Sequence, residues 1–154
     1  MPLTDVLTPE AVLPALKAVS KKQALQELSE QAAKLSGLPE REIFDALLQR
    51  ERLGSTGIGN GVAIPHGKMA KLNQLFGVFA RLDKPIDFES LDGEPVDLIF
   101  LLLAPEGAGA DHLKALSRVA RSQRDPAIAQ KLRKTKDADA LFSLLTQSPT
   151  ASAA

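Results

Sequence analysis

Cysteine, tryptophan and tyrosine are absent from the 154 residues, and histidine occurs only twice. Without cysteine the chain has no disulfide, no thiolate nucleophile and no cysteine-ligated zinc or iron–sulfur centre, which is compatible with a reducing compartment. An excess of charge is missing too: 19 basic and 19 acidic side chains give a formal net charge of +0, so no chain-wide field draws in nucleic acid or an anionic membrane. The longest apolar run, "LIFLLLA", is far too short to cross a bilayer, and the opening "MPLTDVLTPE" lacks the basic and apolar stretches of a signal peptide. The expectation is a soluble cytoplasmic protein.

What the chain does contain is 44% hydrophobic residues, enough at this length to bury a core without a metal or a partner. No internal repeat or linker interrupts it. Residues 1–147 are therefore read as one domain, and "SPTASAA", 148–154, as an unfolded tail with nothing to bury.

The periodicity predicts five helices and a small sheet. "SKKQALQELSEQAAKLSG" has Ser20 and Gln23 in capping-box spacing, a stripe of Leu25, Leu28, Ala32 and Leu35, and Gly37 as a stop. A second helix has Pro39 near its first turn, Ile43, Phe44, Leu47 and Leu48 as its apolar set, Arg50 and Arg52 in its last turn, and Gly54 beyond its end. "QLFGVFARL" and "PVDLIFLLLAP" read as strands, the second apolar on both faces and so placed mid-sheet under helices. A third helix starts at Asp111 with Leu113, Leu116, Val119 and Ala120 inward, a fourth at Asp125-Pro126, and a fifth in "DADALFSLLTQ" with Leu141, Leu144 and Leu145 buried. The fold class is α/β: a small mixed β-sheet flanked by helices on both faces.

Between Gly54 and Gly67, "GSTGIGNGVAIPHG" is too rich in glycine for a regular element, although "VAI" can be a short strand ending at Pro65. A dinucleotide fingerprint starting at Gly57 requires glycine where Val62 stands. A Walker loop ending at Lys68 requires glycine at Val62 and a hydroxyl at Met69. Neither fits. The loop nevertheless offers unhindered backbone N–H groups at Gly57, Gly59 and Gly61 and hydroxyls at Ser55 and Thr56, groups able to hold phosphoryl oxygens.

His66 lies between Pro65 and Gly67, and a neutral imidazole can attack phosphorus through one nitrogen if a hydrogen bond holds the other. His112 follows Asp111 at a helix start, where the positive dipole end disfavours imidazolium and a phosphoryl oxygen can be bound. Arg50 offers the planar charge that phosphate recognition uses. Each has a plainer reading as well: a turn residue, a first-turn residue and a solvated charge at a helix end. A metal site on His66 and His112 is the rival chemistry, but there is no HExxH-like spacing and no third ligand stands out.

The run "RERLGSTGIGNGVAIPHGK", residues 50–68, resembles the active-site segment of the enzyme IIA domains of the mannitol/fructose class of the phosphoenolpyruvate-dependent phosphotransferase system, closest to their nitrogen-regulatory branch, IIA-Ntr. The resemblance extends to about Leu145 and makes residues 1–147 a phosphotransferase-system (PTS) EIIA type-2 domain. It implies a central mixed sheet. It implies phosphorylation of His66 on Nε2 by a phosphohistidine carrier resembling HPr, called NPr in the nitrogen branch, with Arg50 and His112 as the other active-site residues and no metal, nucleotide or other cofactor. In the nitrogen branch the implied role is regulation of partners, such as potassium-transport proteins or sensor kinases, by phosphorylation state. The alternative is a sugar-transport IIA subunit passing phosphate to a IIB domain of a fructose- or mannitol-type permease. The acidic stretch Asp83, Asp87, Glu89, Asp92, Glu94 and Asp97 is a candidate surface for a basic carrier.

Overall fold

The computed structural model describes residues 3–146, so the tail expected at 148–154 lies outside the described residues. Five helices surround one mixed six-stranded sheet. The strands are β1 (Val12–Leu16), β2 (Gly57–Gly59), β3 (Val62–Ala63), β4 (His66–Met69), β5 (Phe76–Ile86) and β6 (Val96–Pro105). The sheet order is β1-β5-β6-β3-β2, and β4 also pairs with β6. Parallel pairing joins β1 to β5 and both β3 and β4 to β6, while β5–β6 and β2–β3 are antiparallel.

β6 occupies the middle of the sheet, as its two-sided apolar pattern requires: Leu98 through Leu103 are fully buried on both faces. Phe79 of β5 and Phe100 of β6 meet edge to face, with centroids 6.3 Å apart, at the heart of the core.

The first helix, α1 (Lys21–Ser36), begins as its cap predicts: the Ser20 hydroxyl accepts from the Gln23 N–H at 3.1 Å. The returning bond from the Gln23 side chain goes to the N–H of Val19 at 2.9 Å instead of that of Ser20. Leu25, Leu28 and Ala32 are buried, whereas Leu35, expected on the same stripe, is exposed at the last turn, where the chain leaves the helix at Gly37. The second helix, α2 (Glu40–Arg52), packs on α1 and along β4, burying Ile43 and Leu47 and half-burying Phe44 and Leu48. Its last turn brings Arg50 to the first residue of β4.

The glycine-rich segment is more regular than its composition suggests. β2 and β3 form a hairpin joined by Asn60 and Gly61, whose φ values of 57° and 80° are those of a type I′ turn. This pair of left-handed residues matches the right-handed twist of the strands it joins.

The third helix, α3 (Gly109–Arg124), starts two residues before the expected Asp111, and its inward stripe is His112, Ala115, Val119 and Gln123. Leu113, expected inward, is 67% exposed. The helix is rotated so that a histidine and small residues face the sheet, and Leu116 and Ala120 are only partly covered. The fourth helix, α4 (Pro126–Lys134), is capped by Asp125, whose carboxylate accepts from the Ala127 N–H at 2.9 Å, with Pro126 in the first turn. The fifth, α5 (Ala138–Thr146), buries Leu141 and Leu145 and half-buries Leu144 beside β1.

Candidate active site

The last turn of α2, the start of β4 and the first turns of α3 converge on an open hollow of about 540 Å³. Its wall includes Arg50, His66 and His112, with Gln49, Lys68 and Gly109 beside them and Leu53, Leu113 and Leu116 as apolar lining. The two histidines meet edge to face with ring centroids 5.6 Å apart and planes at 76°. Residues from three separate parts of the chain thus share one cavity.

His66 is held at both nitrogens. Nδ1 lies 2.9 Å from the carbonyl oxygen of Ile64, and Nε2 accepts from Arg50 Nε–H at 3.1 Å. A carbonyl can only accept and a guanidinium can only donate, so these two partners determine the tautomer: the proton sits on Nδ1 and the lone pair on Nε2. Arg50 is oriented in turn by a second bond, from Nη1 to the carbonyl of Gly54 at 2.9 Å.

Electrostatics keep the ring neutral. Burial is the main force holding His66 below the ordinary value of 6.5, the nearby Arg50 charge adds to it, and the Ile64 carbonyl and the Glu51 carboxylate oppose it. His112 is lowered as well, first by burial and then by the charges of His66 and Lys68. Its Nε2 is buried and has no hydrogen-bond partner among the described residues.

The hydroxyls and glycines of the expected phosphoryl cradle are elsewhere and do not line this hollow. Ser55 donates its hydroxyl to the Phe88 carbonyl at 2.7 Å, and buried Thr56 bonds to Glu51 through both its N–H and its hydroxyl. Gly57 packs on Ser90 so closely that a Cβ would lie 2.2 Å from its hydroxyl oxygen. Gly59 sits beside the Asp92 carboxylate, which accepts from the Asn60 N–H at 3.0 Å. A Cβ on Gly61 would lie 2.4 Å from the Arg133 guanidinium, which is paired with Asp97 and donates to the Asn60 carbonyl. These glycines serve close packing and a left-handed turn.

Most of the acidic stretch is likewise engaged within the chain: Asp83 with Arg81, Asp97 with Arg133, Glu89 with Lys21, and Asp92 and Asp87 with backbone N–H groups. The neighbouring Arg81 holds the Asp83 carboxyl below its usual range, and the N–H groups of Asn60 and Glu94 do the same for Asp92.

Gln49, Lys68, Leu53 and Leu113 were not anticipated at the site. Helix spacing carries part of the signal, because Ala46 and Leu53 stand at i−4 and i+3 from Arg50, and Gly109 and Leu116 at i−3 and i+4 from His112, whereas Gln49 and Leu113 are only chain neighbours of those two residues. Lys68 is two residues along a strand from His66 and so on the same face.

Residues 5–148 match the family described as "Phosphoenolpyruvate-dependent sugar phosphotransferase system, EIIA 2". The chain is 65% identical over 153 residues to a protein of Bradyrhizobium diazoefficiens named "Nitrogen regulatory protein", covering 99% of this chain and 100% of that one. Among solved structures it is similar to the nitrogen regulatory protein IIA-Ntr of Neisseria meningitidis, at TM-score 0.89 and 37% identity, covering 94% of this chain and 99% of that one. It is also similar to the mannitol IIA of Escherichia coli, at TM-score 0.77 and 25% identity, with 90% and 98% covered. The match over residues 5–148 and the 65%-identical relative place the chain in the EIIA 2 family, a phosphotransfer component of the phosphoenolpyruvate-dependent phosphotransferase system.

Proposed function

We propose that His66 accepts a phosphoryl group on Nε2 from a phosphohistidine carrier resembling HPr or NPr, and that the phosphorylation state regulates partner proteins. The observation that carries this is the pair of one-way hydrogen bonds on His66, which leaves the Nε2 lone pair as the available nucleophile. Because the ring is already neutral near pH 7, no base has to remove a proton before attack.

In the transfer, the bond between phosphorus and the carrier's histidine nitrogen breaks while the Nε2–phosphorus bond forms, and the electron pair returns to the carrier ring. Nδ1–H stays on the Ile64 carbonyl, which stabilises the positive charge that builds on the imidazole. Arg50 Nε–H caps the lone pair in the free protein and turns to a phosphoryl oxygen as that pair is used. The buried Nε2 of His112 gains its missing partner in the same oxygens, provided its proton is on that nitrogen. Apolar Leu53 and Leu113, 85% and 67% exposed at the rim, suit exclusion of water by the docked carrier. Ser55, Thr56 and the three glycines have no oxygen-binding part in this scheme.

The nitrogen-regulatory name of the 65%-identical relative supports the regulatory reading; the proposal includes action in the cytoplasm on partners such as potassium-transport proteins or sensor kinases. A doubly charged group at the mouth of an apolar-rimmed hollow changes what can dock there. The likeness to mannitol IIA favours a second reading, onward transfer to a IIB domain. Incubation with phosphoenolpyruvate, enzyme I and the carrier yields an acid-labile phosphoryl group on His66; labelling that persists in His66→Ala rejects the assignment. Mixing the phosphorylated chain with a IIB domain separates the readings: retention of the phosphoryl group supports a regulator, rapid loss a transport subunit.

A further inference from the structure

Glu51 follows Arg50 in the last turn of α2 but faces other partners. Its side chain is 5% exposed. Oε1 accepts from the Thr56 N–H at 3.1 Å and lies 2.9 Å from Lys21 Nζ, and Oε2 accepts from the Thr56 hydroxyl. A carboxylate this buried is costly to retain for stability alone, since apolar side chains of similar volume often stabilise as well or better.

The bonds continue beyond Thr56. Its carbonyl accepts from the Ile64 N–H at 3.0 Å, and the Ile64 carbonyl is the group that takes the Nδ1 proton of His66 at 2.9 Å. Arg50 meanwhile holds the Gly54 carbonyl. One helical turn therefore grips both ends of the 54–56 segment, by Arg50 at Gly54 and by Glu51 at Thr56. Through that segment it locates the acceptor of one imidazole nitrogen relative to the guanidinium on the other.

We infer that Glu51 is a positioning residue for His66: by clamping Thr56 it holds Ile64 in place, and so fixes the orientation and tautomer of the ring whose Nε2 faces Arg50. Its consequence for phosphoryl transfer rests on the reading above, but the positioning itself is a property of the free protein. The charged and titratable groups around His66 are Arg50 and Glu51 from α2, Lys68 from β4 and His112 from α3, with Lys21 of α1 balancing Glu51. Glu51 also acts on the ring through space, its negative charge raising the His66 pKa against the effect of burial.

The test is imidazole ¹⁵N–¹H NMR of the full-length chain, comparing the wild type with Glu51→Gln and Thr56→Val. Wild-type His66 shows one tautomer and a slowly exchanging Nδ1–H. In Glu51→Gln that resonance is lost to exchange, the second tautomer appears, and the His66 titration midpoint moves down because a negative charge has gone. Thr56→Val keeps its shape and its backbone N–H bond to Glu51, so it shows faster Nδ1–H exchange with less movement of the midpoint. A merely structural role lowers thermal stability and leaves the signals of the folded protein unchanged. Unaltered His66 tautomer and exchange in folded Glu51→Gln overturn the inference, and if that variant does not fold, the same result in Thr56→Val overturns it. Failure of the phosphoryl-transfer reading shows separately, as wild-type protein that takes no phosphate from the carrier whatever its tautomer.

Discussion

His66 and the β2–β3 hairpin come from one run of sequence, yet the hollow around the histidine and the hairpin are built on opposite principles. In the hairpin and the two residues leading into it, the polar groups are tied off within the chain: Asn60 to Asp92 and Arg133, Ser55 to Phe88, Thr56 to Glu51. In the hollow they are left with capacity to change partner: Arg50 donates to the lone pair that the proposed transfer would use, and His112 Nε2 has no hydrogen-bond partner among the described residues. Glycine-rich backbone beside a reactive histidine is therefore not in itself an anion cradle. A binding site is recognised by donors whose present bonds can be surrendered, and a scaffold by donors whose bonds cannot.

This contrast assigns different outcomes to substitutions a few residues apart. His66→Ala should abolish phosphoryl acceptance and leave the thermal midpoint near that of the wild type, because the ring is only half-buried; radiolabel transfer and calorimetry read the two effects. Arg50→Ala should slow transfer by about 10²–10³-fold, the usual cost of losing an oxyanion donor, with only a small effect on stability in a thermal melt. Gly61→Ala should do the reverse. A side chain at φ 80° pointing at the Arg133 guanidinium should lower unfolding free energy by about 1–3 kcal/mol, measured by urea titration, while transfer per folded molecule stays unchanged. A slow but stable Gly61→Ala protein would return the hairpin to the phosphoryl-binding machinery.

Smaller effects follow at His112 and with pH. His112→Ala removes one neutral donor, a loss of about 1 kcal/mol or roughly tenfold or less in transfer rate, and it also lowers stability, because the buried ring on the inward stripe of α3 leaves a cavity behind. Both histidines have pKa values lowered from 6.5, mainly by burial, so each remains neutral as pH falls through that value while an unfolded histidine takes up its proton. The transfer rate should stay flat through pH 6.5 and decline only at lower pH. Stability from these two groups should be fully present above 6.5 and be lost as pH falls from there toward the folded values. A rate that halves at 6.5 would mean that burial does not govern His66.

Where sequence and structure agree, a strong periodic or capping signal was present. Ser20, Asp125 and the two-sided apolar run of β6 each specify their element locally. What escaped detection was weakly patterned or determined by tertiary contact. β1 is only five residues long, contains Pro14 and lies at the sheet edge, and β4 begins at His66 with a glycine beside it, so neither alternates clearly. The Asn60-Gly61 pair was a legible type I′ signal masked by the surrounding glycines. The rotation of α3, which turns His112 inward and Leu113 outward, is decided by packing on β6 and not by counting apolar residues. At the site, the three separated residues His66, Arg50 and His112 were readable together because the long segment resembling a known active site marked them. The expected cradle residues do not line the hollow, and the Ser55 and Thr56 hydroxyls are already bonded within the chain, which composition does not show.

In the proposed transfer the Nε2 lone pair of His66 takes the phosphoryl group while Nδ1 keeps its proton on the Ile64 carbonyl. NMR of ¹⁵N-histidine-labelled protein after incubation with phosphoenolpyruvate, enzyme I and the carrier tests it most directly. Phosphorus coupling is expected at Nε2 of His66 with Nδ1 still protonated; coupling at Nδ1, or phosphate on His112 instead, would overturn this assignment.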